Sequence, residues 1–492
     1  MAYAKIPSSD SAHRFRTFCH LIHTLSCQTT VNVDNVTKQG YFCHKIPLES
    51  SSAIRDRGGS VWLASVRPRM PPTVRRSSVM DQTGSTRHLP FFAELAALED
   101  GNPSWRAVSG GLVVLRLVDA WIEEGSAAVA ADGWGIRSVE AAIEEMPSGM
   151  PARAVLRSVV AALKSSPANE MHAIAPRLMA YARSLDLDAK WALAADVYET
   201  IIAHVHPVEE SDVAITAYLR RAFCERSVGE LDAAVASYEA ASRIALEVDD
   251  LFGVLRAQIG TAKIAMARGN MPQAETLLDD TIESARKHEL KDVHAMALQD
   301  RAAVAHLRGS YDHAVRLAYT ALEMTTDAKN RDRLLTDIAG SFYMLGARSA
   351  ARDAYTVIEA TAQEQYQRWV ATINLMEIAA TEGSMPLFER FRRNLIASPL
   401  PPNLEAELHL HAGIGYESLG EPKAAHGSLE RARSIASRYG YNQIVFQSDD
   451  ALQRLERAAP RCATPEELPV PDQLRDVAES LSELRRKVTI TM

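Results

Sequence analysis

Two histidine pairs have the residue type and the close spacing that a metal or acid–base site would need. They are His204 with His206 and His409 with His411, and one residue separates the members of each pair. On an α-helix, residues two apart point about 200° away from each other, so neither pair can hold one metal ion. Glu407 and His411 share a helix face, but two ligands fall short of the three or four that a zinc site uses. We therefore expect no metal site in these segments.

A second group of metal-ligand residue types lies near the N-terminus. Its members are Cys19, His20, His23, Cys27, Cys43 and His44. Zinc sites pair their ligands in short knuckles, and this spacing matches no such pattern. The chain also has no phosphate-binding loop, nucleophile elbow or His-Glu-x-x-His motif. We expect no cofactor and no enzymatic activity.

Composition and charge narrow the class of protein further. The chain of 492 residues has a net charge of −8, which does not suggest a nucleic-acid binder. No apolar run reaches the roughly 18 residues of a membrane-spanning helix, and the N-terminus lacks the apolar core of a signal peptide. Three of the five cysteines lie before His44, so no disulfide framework is implied for the rest of the chain. A reducing cytoplasm fits this composition.

Residues 1–85 read as a disordered basic segment. In the part that ends at Met80, Lys and Arg outnumber Asp and Glu by 11 to 4, and the apolar side chains follow no period. One hypothesis is that Met80 is the true start and that residues 1–79 are an over-extended translation. The alternative is a basic, acid-poor targeting segment.

Glycines at a nearly fixed spacing organise the rest of the chain. They are Gly229, Gly269, Gly309, Gly346, Gly383 and Gly420. The differences between successive positions are 40, 40, 37, 37 and 37. Self-similarity at such a period is the signature of a helical solenoid, in which each unit buries its apolar face only against its neighbours.

Small and large residues recur around each glycine. The positions five residues after it and seven before it hold Ala222, Ala234, Ala262, Ala274, Ala302, Ala314, Ala339, Ala351, Phe388, Gly413 and Ala425. Nine residues after it, most copies hold a large residue, as at Tyr238, Leu278, Tyr355 and Leu429. The spacing predicts a helix A before each glycine and a helix B after it, packed closely through the small residues. An earlier copy without the glycine fits at Ala182, Ala189, Ala194 and Tyr198.

These residues resemble the tetratricopeptide repeat. The best-matching copy is Gly413, Tyr416, Gly420, Ala425, Leu429 and Ala432. The resemblance covers residues 169–440, about seven repeats, and implies an all-α, right-handed superhelical solenoid of antiparallel helix pairs. The units here are longer than the family unit of about 34 residues, as in some bacterial proteins, so either the helices are longer or the turns are looser. Pro386 and Phe388 replace small residues, which predicts a distorted unit around Gly383.

The resemblance also implies a concave wall of A helices that binds a peptide or a partner helix. The corresponding positions are Arg226, Arg256, Lys263, Gln299, His306, Arg333, Glu377, Glu407 and Glu417. This wall would run from basic in the first repeats to acidic in the last. The alternative for each residue is an ordinary solvated position on a helix.

The flanking segments read as further helices. Residues 86–168 fit either a small helical domain or degenerate capping repeats, and their acidic helices disfavour a DNA-reading helix. Residues 441–459 fit a capping helix in which Phe446 takes part, and residues 460–471 form a Pro-rich linker. The amphipathic helix expected at 472–492 fits either a structural cap or a homodimer contact.

Two classes of function follow from the sequence. The first is a non-catalytic scaffold with a protein or peptide partner, bound in the groove of the solenoid. The second is a regulator whose solenoid senses a peptide or small ligand and controls an output elsewhere. No effector domain is recognisable, so the scaffold is the preferred interpretation.

Overall fold

The computed structural model describes residues 87–98, 102, 104–125, 129, 134–165, 171–457 and 467–491. Within those residues the chain forms 20 α-helices and no strand, which confirms the all-α solenoid. Several predictions fall on other residues. The basic N-terminal segment, the Met80 start, the N-terminal Cys/His group and most of the Pro-rich linker lie outside the described residues.

The helices follow one another with short connections. The lead-in helices are α1 (Leu89–Ala97), α2 (Ser104–Glu124), α3 (Trp134–Glu144) and α4 (Pro151–Ser165). The array comprises α5 (Met171–Leu187), α6 (Trp191–Ile202), α7 (Ser211–Val228), α8 (Leu231–Glu247), α9 (Leu251–Ala267), α10 (Met271–Lys287), α11 (Lys291–Leu307), α12 (Tyr311–Met324), α13 (Ala328–Met344), α14 (Arg348–Thr361), α15 (Gln365–Thr381), α16 (Met385–Ile396), α17 (Pro402–Leu419) and α18 (Pro422–Tyr439). The last two helices are α19 (Asn442–Glu456) and α20 (Arg475–Thr491), and a short 3₁₀ turn at Asp472–Leu474 precedes α20.

Helices α5 to α18 form seven consecutive pairs, each with an odd-numbered helix A and an even-numbered helix B. Every helix of the array packs on the next one along the chain. Successive A helices also pack on each other throughout, from α5 on α7 to α17 on α19, whereas successive B helices do so far less. The A helices therefore form the inner layer of the solenoid and the B helices the outer layer.

A left-handed residue ends each A helix. Gly229 has φ 87°, and the other five turn glycines have φ between 73° and 86°. The N–H of Glu230 then donates to the carbonyl of Glu225 at 2.9 Å, which satisfies a helix end that would otherwise lack a partner. Ala189 takes the same place in the first pair at φ 55°, although it carries a Cβ. The turn geometry is thus retained without the glycine that marks it elsewhere.

The helix lengths explain the two periods. Helices α8 to α11 each have 17 residues, and three-residue turns join them, which accounts for the longer period. In the later units the A helix stays at 17 or 18 residues, but α12 and α14 have 14 residues and α16 has 12. The units therefore exceed the family length because their helices are longer, and the later units shorten because helix B does.

Small residues let the helices approach closely, as the spacing predicted. A Cβ on Gly413 of α17 would lie 2.5 Å from Cγ of Leu429 on α18, and one on Gly260 of α9 would lie 2.2 Å from the Tyr238 ring of α8. Contacts this short do not occur between real side chains. The large residue of a B helix thus fills a recess on a neighbouring A helix.

The unit around Gly383 departs from the others in the predicted place. Helix α16 is the shortest of the array helices together with α6, and Phe388 fills the position that is small elsewhere. The chain accommodates this ring at Gly415 of α17, where a Cβ would lie 2.5 Å from it. Phe388 also packs edge-on against Tyr416, with 4.9 Å between ring centroids. The unit is therefore repacked around an aromatic pair.

A buried histidine links the lead-in helices to the array through contacts with two aspartates. His88 contacts Asp196 of α6 through Nδ1 at 2.6 Å and Asp119 of α2 through Nε2 at 3.1 Å. Burial disfavours the charged imidazole, but the hydrogen bonds and charges of the two carboxylates outweigh it and raise the pKa of His88 to about 9. Gly111 lets α2 approach α5, since a Cβ there would overlap Tyr181.

Phe446, which the sequence placed in a capping helix, and Trp105, whose helical spacing groups it with the buried Val108 and Leu112, are both exposed. Trp105 begins α2 and is 47% exposed, and Phe446 on α19 is 64% exposed. Both lie toward an end of the helical stack, where no further helix of the described residues covers them. The periodicity located their helices correctly but could not indicate which face lacks a neighbour.

The C-terminal helix turns back onto the middle of the array. Helix α20 packs against α14, and the 3₁₀ turn before it packs against α12. Leu474, Val477 and Leu481 join the core that α11 to α18 build. This contact is that of an intramolecular cap, and the homodimer contact stays a prediction.

The recess at Gly260, which the Tyr238 ring fills, predicts opposite effects on stability for two glycine-to-alanine substitutions. Gly260→Ala should lower stability by about 1–3 kcal/mol because the new methyl group overpacks against Tyr238. Gly427 lies in α18 with open space around its Cβ position, so Gly427→Ala should raise stability by up to about 1 kcal/mol. Urea unfolding followed by circular dichroism measures both. Equal effects of the two variants would contradict the recess.

The His88 contacts predict a loss of stability at alkaline pH. Because the folded-state pKa lies above the ordinary value of 6.5, the stabilisation is complete below pH 6.5 and disappears as the pH rises through about 9. Between pH 7 and 10 the protein should lose about 1–3 kcal/mol. His88→Gln should remove most of this pH dependence, whereas His288→Gln, at an exposed histidine, should leave it intact. Thermal melting across this range is the measurement.

Candidate functional site

The inner layer carries a series of polar contacts between successive A helices. Lys263 of α9 lies 3.2 Å from Asp300 of α11, and Glu377 of α15 lies 2.9 Å from Nδ1 of His411 on α17. Both pairs join the position six residues before one turn glycine to the position nine before the next. The same contact is thus built twice with its charges exchanged.

Three further contacts continue this series. Gln299 donates to Asp337 at 3.4 Å, and Arg454 of α19 lies 3.4 Å from Glu417. Nδ1 of His306 lies 2.9 Å from the hydroxyl of Ser341. Together with the two charged pairs, these contacts form what we call the polar ladder. It links each A helix from α9 onward to the next one, except at the step from α13 to α15. There a tyrosine of α13 makes the contact instead.

That tyrosine completes an acid–base group around Glu377. The hydroxyl of Tyr343 on α13 donates to Glu377 at 2.8 Å, so Glu377 bridges α13 and α17. Burial disfavours the charged form of His411, but the charge of Glu377 and its hydrogen bond outweigh this effect, and the pKa of His411 is raised. The group therefore holds three A helices together and has the character of a structural contact.

Two of the predicted wall residues are buried. His306 is 2% exposed and Glu407 is 5% exposed. Burial lowers the pKa of His306 to about 4, so its ring is neutral and stacks edge-on against Tyr311. Both side chains fill the space between helices, which argues against direct contact of either with a partner. The equivalent residues Arg226 and Arg256, three and thirteen positions before their own turn glycines, stay partly exposed.

The first part of the inner layer is basic and aromatic. The guanidinium of Arg226 lies 5.4 Å above the Phe223 ring, and that of Arg256 lies 5.4 Å above the Phe252 ring. Burial lowers the pKa of Arg256, and the charge of Asp250 offsets this effect only in part. A guanidinium over the exposed Phe252 ring favours an incoming carboxylate and an apolar side chain together.

The acidic end of the predicted wall is occupied within the chain. Glu377 contacts Tyr343 and His411, and Glu417 contacts Arg454. Arg333 has a partly exposed side chain on α13. The gradient from basic to acidic is therefore weaker than the sequence suggests, because intramolecular cations neutralise the acids.

The residues nine positions before each turn glycine mostly form contacts between repeats that the sequence did not predict. These are Arg220, Gly260, Asp300, Asp337, Asn374 and His411. Most of them are polar, and Arg220, Asp300, Asp337 and His411 supply one side of an inter-helix contact. The glycine register already contains this signal. A polar residue at a constant distance from each glycine, on an otherwise apolar helix, indicates a contact between repeats.

A cavity between α11, α12 and α13 measures ≈ 10 Å³, which is room for about one water molecule. Residues with defined placement contain no group of three or more side chains that could hold a metal ion. Among the described helices, none is long and apolar enough to cross a membrane.

Comparisons with known proteins support the helical repeat and no more specific identity. Residues 221–326 match the family model of the suppressor of spindle checkpoint defect 1 C-terminal domain. This segment begins within α7, ends just after α12 and contains the most regular part of the array. A crystal structure of BtubC (BKLC) from P. vanneervenii is 14% identical and covers 51% of this chain and 93% of its own, with a TM-score of 0.32. That similarity is too low to support an argument. No curated protein matches the chain.

The Lys263–Asp300 and Glu377–His411 contacts carry their charges in opposite order. We therefore expect that the charges of the Lys263–Asp300 pair can be exchanged. Lys263→Glu should lower stability by about 1–3 kcal/mol, because it places two carboxylates together while Asp300 is buried. Adding Asp300→Lys should restore most of the loss. Arg243→Glu, at an exposed position of α8, is the control and should be nearly neutral. Urea unfolding of Lys263→Glu, Asp300→Lys, the double variant and the control measures the coupling, and additive losses in the double variant would refute it.

Proposed function

We propose that the array is a tetratricopeptide-type scaffold that binds a peptide or a partner helix along its inner layer. The observation that carries this proposal is the continuous packing of successive A helices, which gives one uninterrupted wall. The units differ in length from the family, but the small residues, the large residue and the left-handed turn recur in its order. A wall of this kind offers a ligand several equivalent helices at once.

The charge of the wall indicates the chemistry of the ligand. Arg226 and Arg256 stack on aromatic rings, and Arg333 continues the cationic side chains onto α13. The acids of the later repeats already have partners within the chain. We infer that the ligand is an acidic segment with apolar side chains, bound where Arg256 lies over the exposed Phe252 ring on α9.

The contacts of the ionisable groups favour binding over catalysis. The ionisable groups with strongly shifted pKa values, such as His88 and His306, contact other helices of the chain. We accordingly propose a non-enzymatic role. The cytoplasmic location stays a prediction from the cysteine content.

Selection of peptides from a random display library on the full-length protein tests the proposal. The enriched sequences should combine Asp or Glu with apolar residues. Arg256→Glu should weaken their binding by at least about tenfold, since a favourable contact becomes a repulsive one. Arg243→Glu changes charge equally on the outer layer and should leave binding unchanged. Enrichment of basic peptides, or equal losses in both variants, would reject the proposal.

A further inference from the structure

Residues 467–491, which we call the strap, cover the outer side of one B helix. Leu474, Val477 and Leu481 are nearly inaccessible to solvent, and they lie three and four residues apart on one face. That face packs against α14, which lies far earlier in the chain. The strap is thus a helical ligand of the array that the chain itself supplies.

The outer side of α14 differs from that of the other B helices. Ala350 and Asp353, four and seven residues after the turn glycine, are buried. The residues equivalent to Asp353 in five other pairs are exposed, namely Ala236, Thr276, Arg316, Arg390 and Gly427. The small Ala350 leaves room for the strap, and Asp353 places a carboxylate under it.

Polar contacts fix both ends of the strap. At its start, the N–H of Leu468 donates to the carbonyl of Gly346 at 3.1 Å, and Glu467 accepts from the N–H of Ser349 at 2.9 Å. Helix α14 begins after Ala347, which has no side-chain cap, so Glu467 supplies one. Near its end, Arg485 lies 2.8 Å from Asp353.

The first pair of the array is covered in the same way. Asp196 of α6 occupies the position of Asp353, seven residues after the left-handed turn residue Ala189. It contacts His88, which immediately precedes α1, and α1 packs on α6. Among the seven pairs, this position is acidic only at Asp196 and Asp353, where another helix of the described residues docks. An aspartate at this position therefore occurs where another helical segment docks on the outer layer, and a cationic side chain of that segment contacts it.

We propose that the outer side of α14 is a docking groove for an amphipathic helix, and that the strap is its releasable resident ligand. The helix that fits carries apolar residues at positions i, i+3 and i+7 and a cation at i+11, as Leu474, Val477, Leu481 and Arg485 do. This groove lies on the opposite layer from the proposed peptide wall, so the two inferences stand independently.

The composition of the strap explains why it can leave. Three side chains are deeply buried, Val470, Ala478 and Leu484 pack partly buried against the same core, and polar residues such as Asp476 and Glu479 are exposed. Ordering about 25 residues opposes docking, and the exposed ion pairs add little. The covalent tether compensates by keeping the strap at a high effective concentration. Docking therefore depends on the tether, and a second helix of the same pattern can compete when the strap is weakened.

A labelled peptide of residues 467–491 tests the groove in the full-length protein. Leu481→Asp should release the resident strap, and the peptide should bind this variant at least tenfold more tightly than the wild-type chain. Glu479→Ala, on the exposed side of the strap, is the matched control and should behave like the wild-type protein. Fluorescence anisotropy gives the affinities, and circular dichroism confirms that each chain is folded.

A second substitution assigns the binding to α14. Ala350→Arg, added to Leu481→Asp, should abolish peptide binding because the large side chain fills the groove. Equal peptide affinity for the wild-type chain and Leu481→Asp would overturn the proposal, as would binding that survives Ala350→Arg. If Leu481→Asp prevents folding, Arg485→Glu replaces it, since reversing the charge opposite Asp353 weakens the strap without burying a new charge.

Discussion

The left-handed turn at the end of each A helix is the constraint on which the rest of the array depends. It reverses the chain over a few residues and satisfies the last carbonyls of the helix, so the next helix must run antiparallel and begin in a fixed phase. That phase brings the small residues of both helices face to face. Ala189 shows that the geometry matters more than the residue, because it adopts the same conformation with a side chain present.

The fixed phase also separates the two layers by chemistry. On the inner layer, equivalent positions of successive A helices lie close enough for direct polar contact, and the polar ladder results. On the outer layer, successive B helices are farther apart, so each one has a free side that another segment can cover. The lead-in helices and the strap use this side, at Asp196 and Asp353. The fold thus offers a continuous inner wall and separate outer grooves.

Much of the array could be predicted from the sequence, because close packing limits the residues that fit. Gly260 and Gly413 are small since a large side chain of the neighbouring helix leaves no space for a methyl group, and such a constraint recurs along the array. The wall residues were harder to predict. His306 and Glu407 are buried, whereas Arg226 and Arg256 occupy the same positions relative to their turn glycines and stay partly exposed. Burial at these positions depends on the side chains of neighbouring helices, such as Tyr311 beside His306, which the repeat spacing does not contain.

The sequence by itself determined the helix pairs, their turns and their order, since these depend on contacts within one unit or between adjacent units. The tertiary structure decided which polar residues are available to a ligand and where the C-terminal helix packs. The strap reaches Asp353 from several units further along the chain, and no periodic pattern encodes a contact at that separation. Such a contact arises because one outer side, with Ala350 and Asp353 on it, is complementary to the strap. That complementarity becomes visible only when both segments are seen together.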